Sequence, residues 1–162
     1  MEYIDSSSRS FAQNNKPAGC IFCAYPKECN DDENLIITKG RSAFVIMNRY
    51  PYSTGHLLVV PYRHTSIFSS LTNEEKLEIF SLAQHSVSVL EKIMHTDGFN
   101  LGINIGKAAG AGIDTHIHLH VVPRWNGDIN FMSVTAETKV LPEALKVTQQ
   151  RLLAEWNKTI TP

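Results

Sequence analysis

A short run of alternating histidine and aliphatic residues constrains this chain more than any other feature. His116, His118 and His120 are separated by Ile117 and Leu119. Because strand side chains point to opposite faces with a period of two, a strand here carries all three imidazoles on one face. The run is either the polar face of an ordinary half-buried strand or a row of functional groups. Three adjacent imidazoles repel one another when protonated and add little to packing, which favours function.

Composition narrows the class of protein. The chain has 162 residues, of which 43% are hydrophobic and 19% charged, as expected of one folded globular domain. Its net charge of −1 gives no support to an extended nucleic-acid surface or a polybasic membrane patch. The sequence contains neither an apolar run long enough to span a bilayer nor a signal-peptide pattern. We therefore expect a cytoplasmic protein that does not bind membranes.

Two of the three cysteines form a Cys-x-x-Cys pair, Cys20 and Cys23. Such a pair serves either redox exchange or metal ligation. A redox pair usually opens a helix after a buried strand, whereas residues 16–19 before Cys20 have the composition of a loop. This favours zinc over a redox role or no role, and zinc requires two further ligands. Cys29 lies in a polar stretch and is expected to be a free surface thiol.

Four further stretches have strand-like patterns: residues 35–38, 42–48, 56–62 and 99–105. Residues 48–55 separate the second and third of these as a loop. The fourth is followed by three glycines within residues 106–112. Glycine-rich hairpin loops are common, but such a loop also lets backbone N–H groups approach an anion. Its position beside the histidine run favours a phosphate-binding loop.

Two helices are predicted. Thr72 and Glu75 form a capping box that begins a long helix, which Gly98 ends. Its expected buried stripe comprises Leu77, Phe80, Ala83, Val87, Leu90 and Met94. His85 and His95 on this helix are expected to be solvated or capping residues. A second helix is predicted from Pro142 to Trp156, whereas residues 1–19 are expected to form a loosely ordered arm before a single domain, 20–162.

These motifs resemble the histidine triad (HIT) superfamily of nucleotide hydrolases and transferases. The triad pattern is His-φ-His-φ-His-φ-φ, where φ is apolar. Four stretches match the family's motifs in the family's order: residues 48–49, 54–61, 104–106 and 116–122. The resemblance covers roughly residues 20–131. Within it, residues 123–131 resemble the branch of diadenosine tetraphosphate phosphorylases and related adenylyltransferases.

The resemblance implies covalent chemistry at the α-phosphorus of adenine nucleotides such as diadenosine tetraphosphate. It makes His118 the nucleophile that carries the nucleotidyl group, while His120 and His56 hydrogen-bond the phosphate or leaving oxygens. Backbone amides around Gly110 and Gly112 would add donors. Water as acceptor gives hydrolysis, and inorganic phosphate gives phosphorolysis.

Further nucleotide contacts follow from the same resemblance. Asn48 matches a position that contacts the ribose, and Asn104 belongs to the same nucleotide-binding set. Many relatives carry glutamine shortly before the triad, where this chain has residues 111–115 without one. That difference favours the phosphorylase-like branch.

Zinc-bearing relatives, including uridylyltransferases, imply the two missing metal ligands. They combine a Cys-x-x-Cys pair with a histidine after the second strand of their motif and the first triad histidine. Here the set is Cys20, Cys23, His64 and His116, which suits tetrahedral structural zinc. Such an ion would hold the register of His118 without taking part in the reaction.

The predicted elements and the resemblance together imply an α+β fold. We expect a five-stranded, mostly antiparallel sheet with the long helix on one face and the C-terminal helix nearby, assembled as a homodimer. Two functional alternatives are a regulatory or scaffolding module that binds AMP or ADP with little catalysis, and an adenosine phosphoramidate hydrolase. A cupin-type metal oxidase is disfavoured because the loop motifs and the Cys-x-x-Cys pair have no place in it.

Overall fold

The computed structural model describes residues 19–128 and 144–159. Five strands form one sheet: β1 (Ile36–Lys39), β2 (Ala43–Met47), β3 (Leu57–Pro61), β4 (Gly98–Ile103) and β5 (Leu119–Arg124). Within these two ranges, three α-helices accompany the strands: α1 (Ile21–Ala24), α2 (Asn73–Met94) and α3 (Leu145–Thr159). The strand order is β1-β2-β3-β5-β4, and every pairing is antiparallel. The predicted α+β fold with five strands is confirmed.

Two of the sequence predictions concern residues outside the described ranges. The N-terminal arm lies outside the described residues apart from Gly19, and so does Pro142 at the predicted start of the last helix. Within the described ranges, no helix is both long and apolar enough to cross a membrane. The sequence analysis missed α1, whose single turn begins directly after Cys20.

The strand that carries the histidines is shorter than predicted. β5 begins at Leu119, so that His116 and His118 precede it. Their segment bonds instead to the connection after β3, because the Ile117 N–H donates to the Thr65 carbonyl over 2.8 Å. β3 itself ends at Pro61, which has no N–H with which to continue a ladder. The histidines therefore leave the sheet at its end, where they can meet side chains from other elements.

Helix α2 begins where the capping box predicted. The Thr72 hydroxyl accepts from the Glu75 N–H, and the Glu75 carboxylate accepts from the Thr72 N–H over 2.8 Å. Arg63 also donates to both oxygens of Glu75, over 2.9 and 2.7 Å, which ties the connection after β3 to the start of the helix. The helix ends at Met94, earlier than predicted, with His95 as a left-handed C-cap.

The predicted buried stripe of α2 is wrong at its N-terminal end. Leu77 and Phe80 are 72% and 61% exposed. The buried positions of the helix are Glu75, Ile79, Ala83, Ser86, Val89 and Leu90. The sequence contains two overlapping apolar stripes, and packing on the sheet selected the one through Ile79. The prediction for His85 is also wrong, since its ring packs edge-on against Trp156 of α3 with centroids 4.4 Å apart.

Gly55 sets the entry of the chain into β3 and therefore the position of His56. Its φ of +80° is a conformation that glycine adopts without strain. A Cβ at this position would lie 2.7 Å from the Met94 sulfur and 2.9 Å from Leu90, so α2 leaves room only for a hydrogen. The close approach holds the loop before β3 against the helix.

Candidate active site and metal cluster

Three predicted catalytic histidines meet at one end of the sheet. His56 directly precedes β3, His120 lies in β5 opposite Leu58, and His118 directly precedes β5. Ring centroids of His56 and His120 are 5.1 Å apart, and those of His118 and His120 are 4.8 Å apart. The three side chains are buried, with exposures of 1% to 9%. Sequence positions 64 residues apart are thus brought into direct contact.

Backbone groups set the protons on His56 and His120. The Tyr52 N–H donates to His56 Nδ1 over 3.0 Å, so the neutral ring carries its proton on Nε2. His56 Nε2 lies 2.9 Å from His120 Nδ1, which must then accept. The proton of His120 is consequently on Nε2. Among the described residues this buried Nε2 has no hydrogen-bond partner, and a buried donor of this kind calls for a ligand or water.

His118 has the opposite tautomer. Its Nδ1 lies 2.8 Å from the His116 carbonyl oxygen, which can only accept, so the proton is on Nδ1. The Nε2 lone pair is then available as a nucleophile. The site therefore presents an unprotonated nitrogen on His118 beside an N–H donor on His120.

Burial keeps these rings neutral. It lowers the pKa of His118 below the ordinary histidine value. Burial, with a smaller effect from neighbouring His118, lowers the pKa of His120 to about 4. Near neutral pH both imidazoles are uncharged, as a nitrogen nucleophile requires.

The four predicted metal ligands are also brought together. One ligand atom from each of Cys20, Cys23, His64 and His116 lies within 4.8 Å of all the others. His116 Nδ1 is 3.3 Å and 3.6 Å from the two sulfurs and 3.2 Å from His64 Nδ1. His116 Nε2 donates to the Pro61 carbonyl over 2.8 Å, so its Nδ1 lone pair points into the cluster. This group can hold a metal ion.

The donor set fits zinc. Two thiols and two imidazoles form a common tetrahedral zinc site, and a carbonyl that fixes the tautomer of a ligating histidine is a usual supporting contact. Burial, followed by nearby Cys20, raises the pKa of the Cys23 thiol. A bound cation would reverse that preference by stabilising the thiolate. Cys29, in contrast, is exposed and free, as predicted.

The loop residues predicted to bind the nucleotide lie in two different connections, after β2 and after β4. Asn48 lies beside His56, with its Nδ2 3.3 Å from His56 Nδ1 and its Oδ1 accepting from the Tyr50 N–H over 2.9 Å. Asn104 follows β4 directly, next to the pairing of Ile103 with Leu119. Gly110 and Gly112 are exposed in the loop after it. Asn48 thus already orders the loop that carries His56.

Two aromatic residues at the site were missed by the sequence analysis. Phe22 contacts His116 and His118, and Tyr52 stacks on His56 with ring centroids 4.9 Å apart. Phe22 could have been noticed because it lies within the Cys-x-x-Cys pair. Tyr52 lies in a loop whose fold the local sequence does not specify.

Comparison with known proteins agrees with this geometry. Residues 30–127 match the family described as the HIT domain. The structure is similar to that of a zinc-bound histidine triad family protein from Mycobacterium smegmatis, with a TM-score of 0.69 and 28% identity, covering 86% of this chain and 94% of that one. A uridylyltransferase structure has the same fold, with a TM-score of 0.66 at 17% identity over 88% of this chain and 46% of its own.

Sequence relatives carry related names. A protein named AP-4-A phosphorylase from Mycobacterium tuberculosis is 40% identical over 129 residues, which is 80% of this chain. The chain spans 66% of that relative's length. A bis(5'-nucleosyl)-tetraphosphatase (asymmetrical) from Schizosaccharomyces pombe is 34% identical over 57% of this chain and 50% of its own.

Proposed function

The chain belongs to the HIT domain family, and from that premise we propose that it transfers adenylyl groups from dinucleoside polyphosphates through a covalent adduct on His118. The observation that carries the proposal is the pair of opposite tautomers, a free Nε2 on His118 beside an Nε2–H on His120. The relatives named AP-4-A phosphorylase supply the substrate class.

The first step follows from these tautomers. His118 Nε2 attacks the α-phosphorus, a P–N bond forms, and the P–O bond to the leaving nucleotide breaks. The proton on His118 Nδ1 stays in its bond to the His116 carbonyl and stabilises the charge that the ring acquires. The His120 N–H donates to the leaving oxygen, which departs as a polyphosphate anion.

The second step returns His118 to its starting state. An oxygen of inorganic phosphate or water attacks the same phosphorus, and the P–N bond breaks. With diadenosine tetraphosphate, ATP leaves in the first step, and the second step yields ADP from phosphate or AMP from water. Asn48, Asn104 and the amides of Gly110 and Gly112 are proposed to bind the nucleotide around this centre.

Product analysis tests the proposal. We expect diadenosine tetraphosphate plus inorganic phosphate to give equal amounts of ATP and ADP, separated by anion-exchange chromatography. Omitting phosphate should stop the reaction or replace ADP by AMP, which distinguishes phosphorolysis from hydrolysis. AMP or ADP binding without turnover of any dinucleoside polyphosphate would contradict the proposal and favour a binding module. Turnover of adenosine phosphoramidate alone would contradict the assigned substrate class.

The metal in the cluster is proposed to be zinc. Support comes from the Cys2His2 donor set and from the zinc-bound relative of similar fold. When bound, zinc would supply charge neutralisation of the thiolates and a fixed link between α1 and the segment before β5. The chemistry at phosphorus stays with the histidines. A cytoplasmic location and a single domain over residues 20–162 remain predictions.

We propose a homodimer from the outer edge that the sheet has within residues 19–128. β4 is an outer strand, and its Leu101 and nearby Ile105 are 54% and 52% exposed. An apolar edge strand favours pairing with a second copy. Wild-type protein should therefore show the dimer mass in light scattering, and Leu101→Lys should show the monomer mass. Val147→Lys on α3, where the side chain is 47% exposed, is the control and should remain dimeric. A wild-type monomer would contradict the proposal.

A further inference from the structure

Phe22 connects the metal cluster with the proposed nucleophile. It lies between the ligands Cys20 and Cys23 and is 3% exposed. Its ring centroid is 5.5 Å from that of His116, in an edge-to-face arrangement, and 5.1 Å from that of His118. One buried ring thus touches both a predicted metal ligand and the histidine that carries the proposed chemistry.

The position of Phe22 depends on its two neighbours. The N–H groups of Cys23 and Ala24 both donate to the Cys20 carbonyl, over 3.1 and 3.2 Å, which closes a single helical turn. A turn this short is not stable alone and takes its place from tertiary contacts. The sulfurs that flank Phe22 lie 3.3 and 3.6 Å from His116 Nδ1. An ion shared by these atoms would fix both ends of the turn.

His118 needs such a support. Its Nδ1 bond to the His116 carbonyl anchors one edge of the ring, and coupled changes of χ1 and χ2 can still tilt the ring plane around that anchor. The rings of Phe22 and His120, with centroids 5.1 and 4.8 Å from that of His118 and tilted to it, restrict such changes. The direction of the Nε2 lone pair depends on the plane of the ring, so packing on Phe22 determines where the nucleophile points.

We propose that Phe22 is a positioning residue that transmits metal occupancy of the Cys/His cluster to the orientation of the His118 ring. The contacts stand independently of the reaction, and only the kinetic consequence rests on the proposed function. The cluster would thereby act on the nucleophile through packing, at a distance from the phosphate.

Nitrogen NMR of the zinc-loaded protein tests the proposal without turnover. In the wild type we expect one sharp pair of His118 ring signals, with the proton on Nδ1. Phe22→Met retains apolar volume but has no ring face, and it should broaden or average that pair. Phe44→Met is the matched control, because Phe44 is fully buried and its ring stacks on Tyr62. Phe22→Leu serves the same test if the methionine variant does not fold.

A double-substitution cycle tests the link to the metal. Phe22→Met should slow formation of the His118 adduct about 10- to 100-fold, the usual range for supporting residues of a metal site. His64→Ala, which removes a predicted metal ligand, should slow it at least as much. If both act through one contact, the double variant should be little slower than the worse single variant. Multiplied losses would overturn the link.

The NMR result separates this proposal from the proposed function. Unchanged His118 signals in Phe22→Met would overturn the positioning role, even if activity fell, because the orientation of the His118 ring would then not depend on Phe22. Altered His118 signals, with none in Phe44→Met, would support the positioning role even if wild-type protein turned over no dinucleoside polyphosphate. That second outcome would contradict only the proposed function.

Discussion

Replacing His118 by alanine should lower the rate of adenylyl transfer by about 10⁴-fold or more, since loss of a covalent nucleophile removes the whole pathway. In the tautomers inferred from the hydrogen bonds of the described residues, His118 Nε2 carries a free lone pair, whereas His120 Nδ1 accepts from His56. The fold should remain, because His118 lies outside β5 and its side chain makes one hydrogen bond with the part of the chain that the structure describes. Single-turnover kinetics and far-UV circular dichroism measure the two effects.

The size of the loss distinguishes the nucleophile from its neighbour. His120→Ala removes a hydrogen-bond donor to the leaving oxygen, which typically costs about 10²- to 10³-fold. His85→Gln, between α2 and α3, should leave the rate unchanged. Wild-type protein denatured at alkaline pH, which preserves the acid-labile P–N bond, should contain AMP on the peptide that includes His118, and His118→Ala should contain none. Retained turnover in His118→Ala would rule out the covalent route.

The functional chemistry was predictable where it depends on short motifs. The alternation of histidine and aliphatic residues identified the functional run, and the capping box of Thr72 and Glu75 identified the start of α2. Both patterns depend on residues only a few positions apart. The tautomers of the histidines could not be predicted from the sequence. The proton positions on His56 and His116 depend on a backbone amide at Tyr52 and a carbonyl at Pro61, which only the folded chain brings to the rings.

The packing of α2 on the sheet could not be predicted from the sequence either. Leu77 and Ile79 lie on different faces of α2, and nothing local determines which face meets the sheet. The prediction for His85 was wrong for a similar reason, because its packing partner Trp156 lies 71 positions further along the chain. The four-residue metal set was predicted only through resemblance, since spacing within Cys20 and Cys23 says nothing about His64.

Metal removal should lower the stability of the protein by several kcal/mol. A ligand that binds only the folded state stabilises it by about 4 kcal/mol when its free concentration is 1,000 times its dissociation constant. At this chain length that corresponds to roughly 10 °C in Tm. We expect a chelator to lower Tm by that amount in wild-type protein, measured by calorimetry, with one zinc per chain lost in elemental analysis.

Two cysteine variants provide a matched pair for this prediction. Cys23→Ser removes one ligand from the cluster, so it should lose the zinc, melt at a lower temperature and no longer respond to chelator. Cys29→Ser changes an exposed thiol outside the cluster and should behave as wild type. A wild-type Tm that a chelator does not change would contradict a structural metal.

The Cys23→Ser and Cys29→Ser variants also distinguish zinc binding from redox exchange, the two chemistries that a Cys-x-x-Cys motif allows. A Cys20–Cys23 disulfide would make Tm depend on reductant and not on chelator, and oxidation would remove both sulfurs as ligands. A metal site predicts the reverse dependence. Four converging donors favour the metal, because redox exchange uses only the two sulfurs and gives no reason for the His116 lone pair to face them. Chelator sensitivity in Cys29→Ser together with its absence in Cys23→Ser would therefore identify the pair as metal ligands.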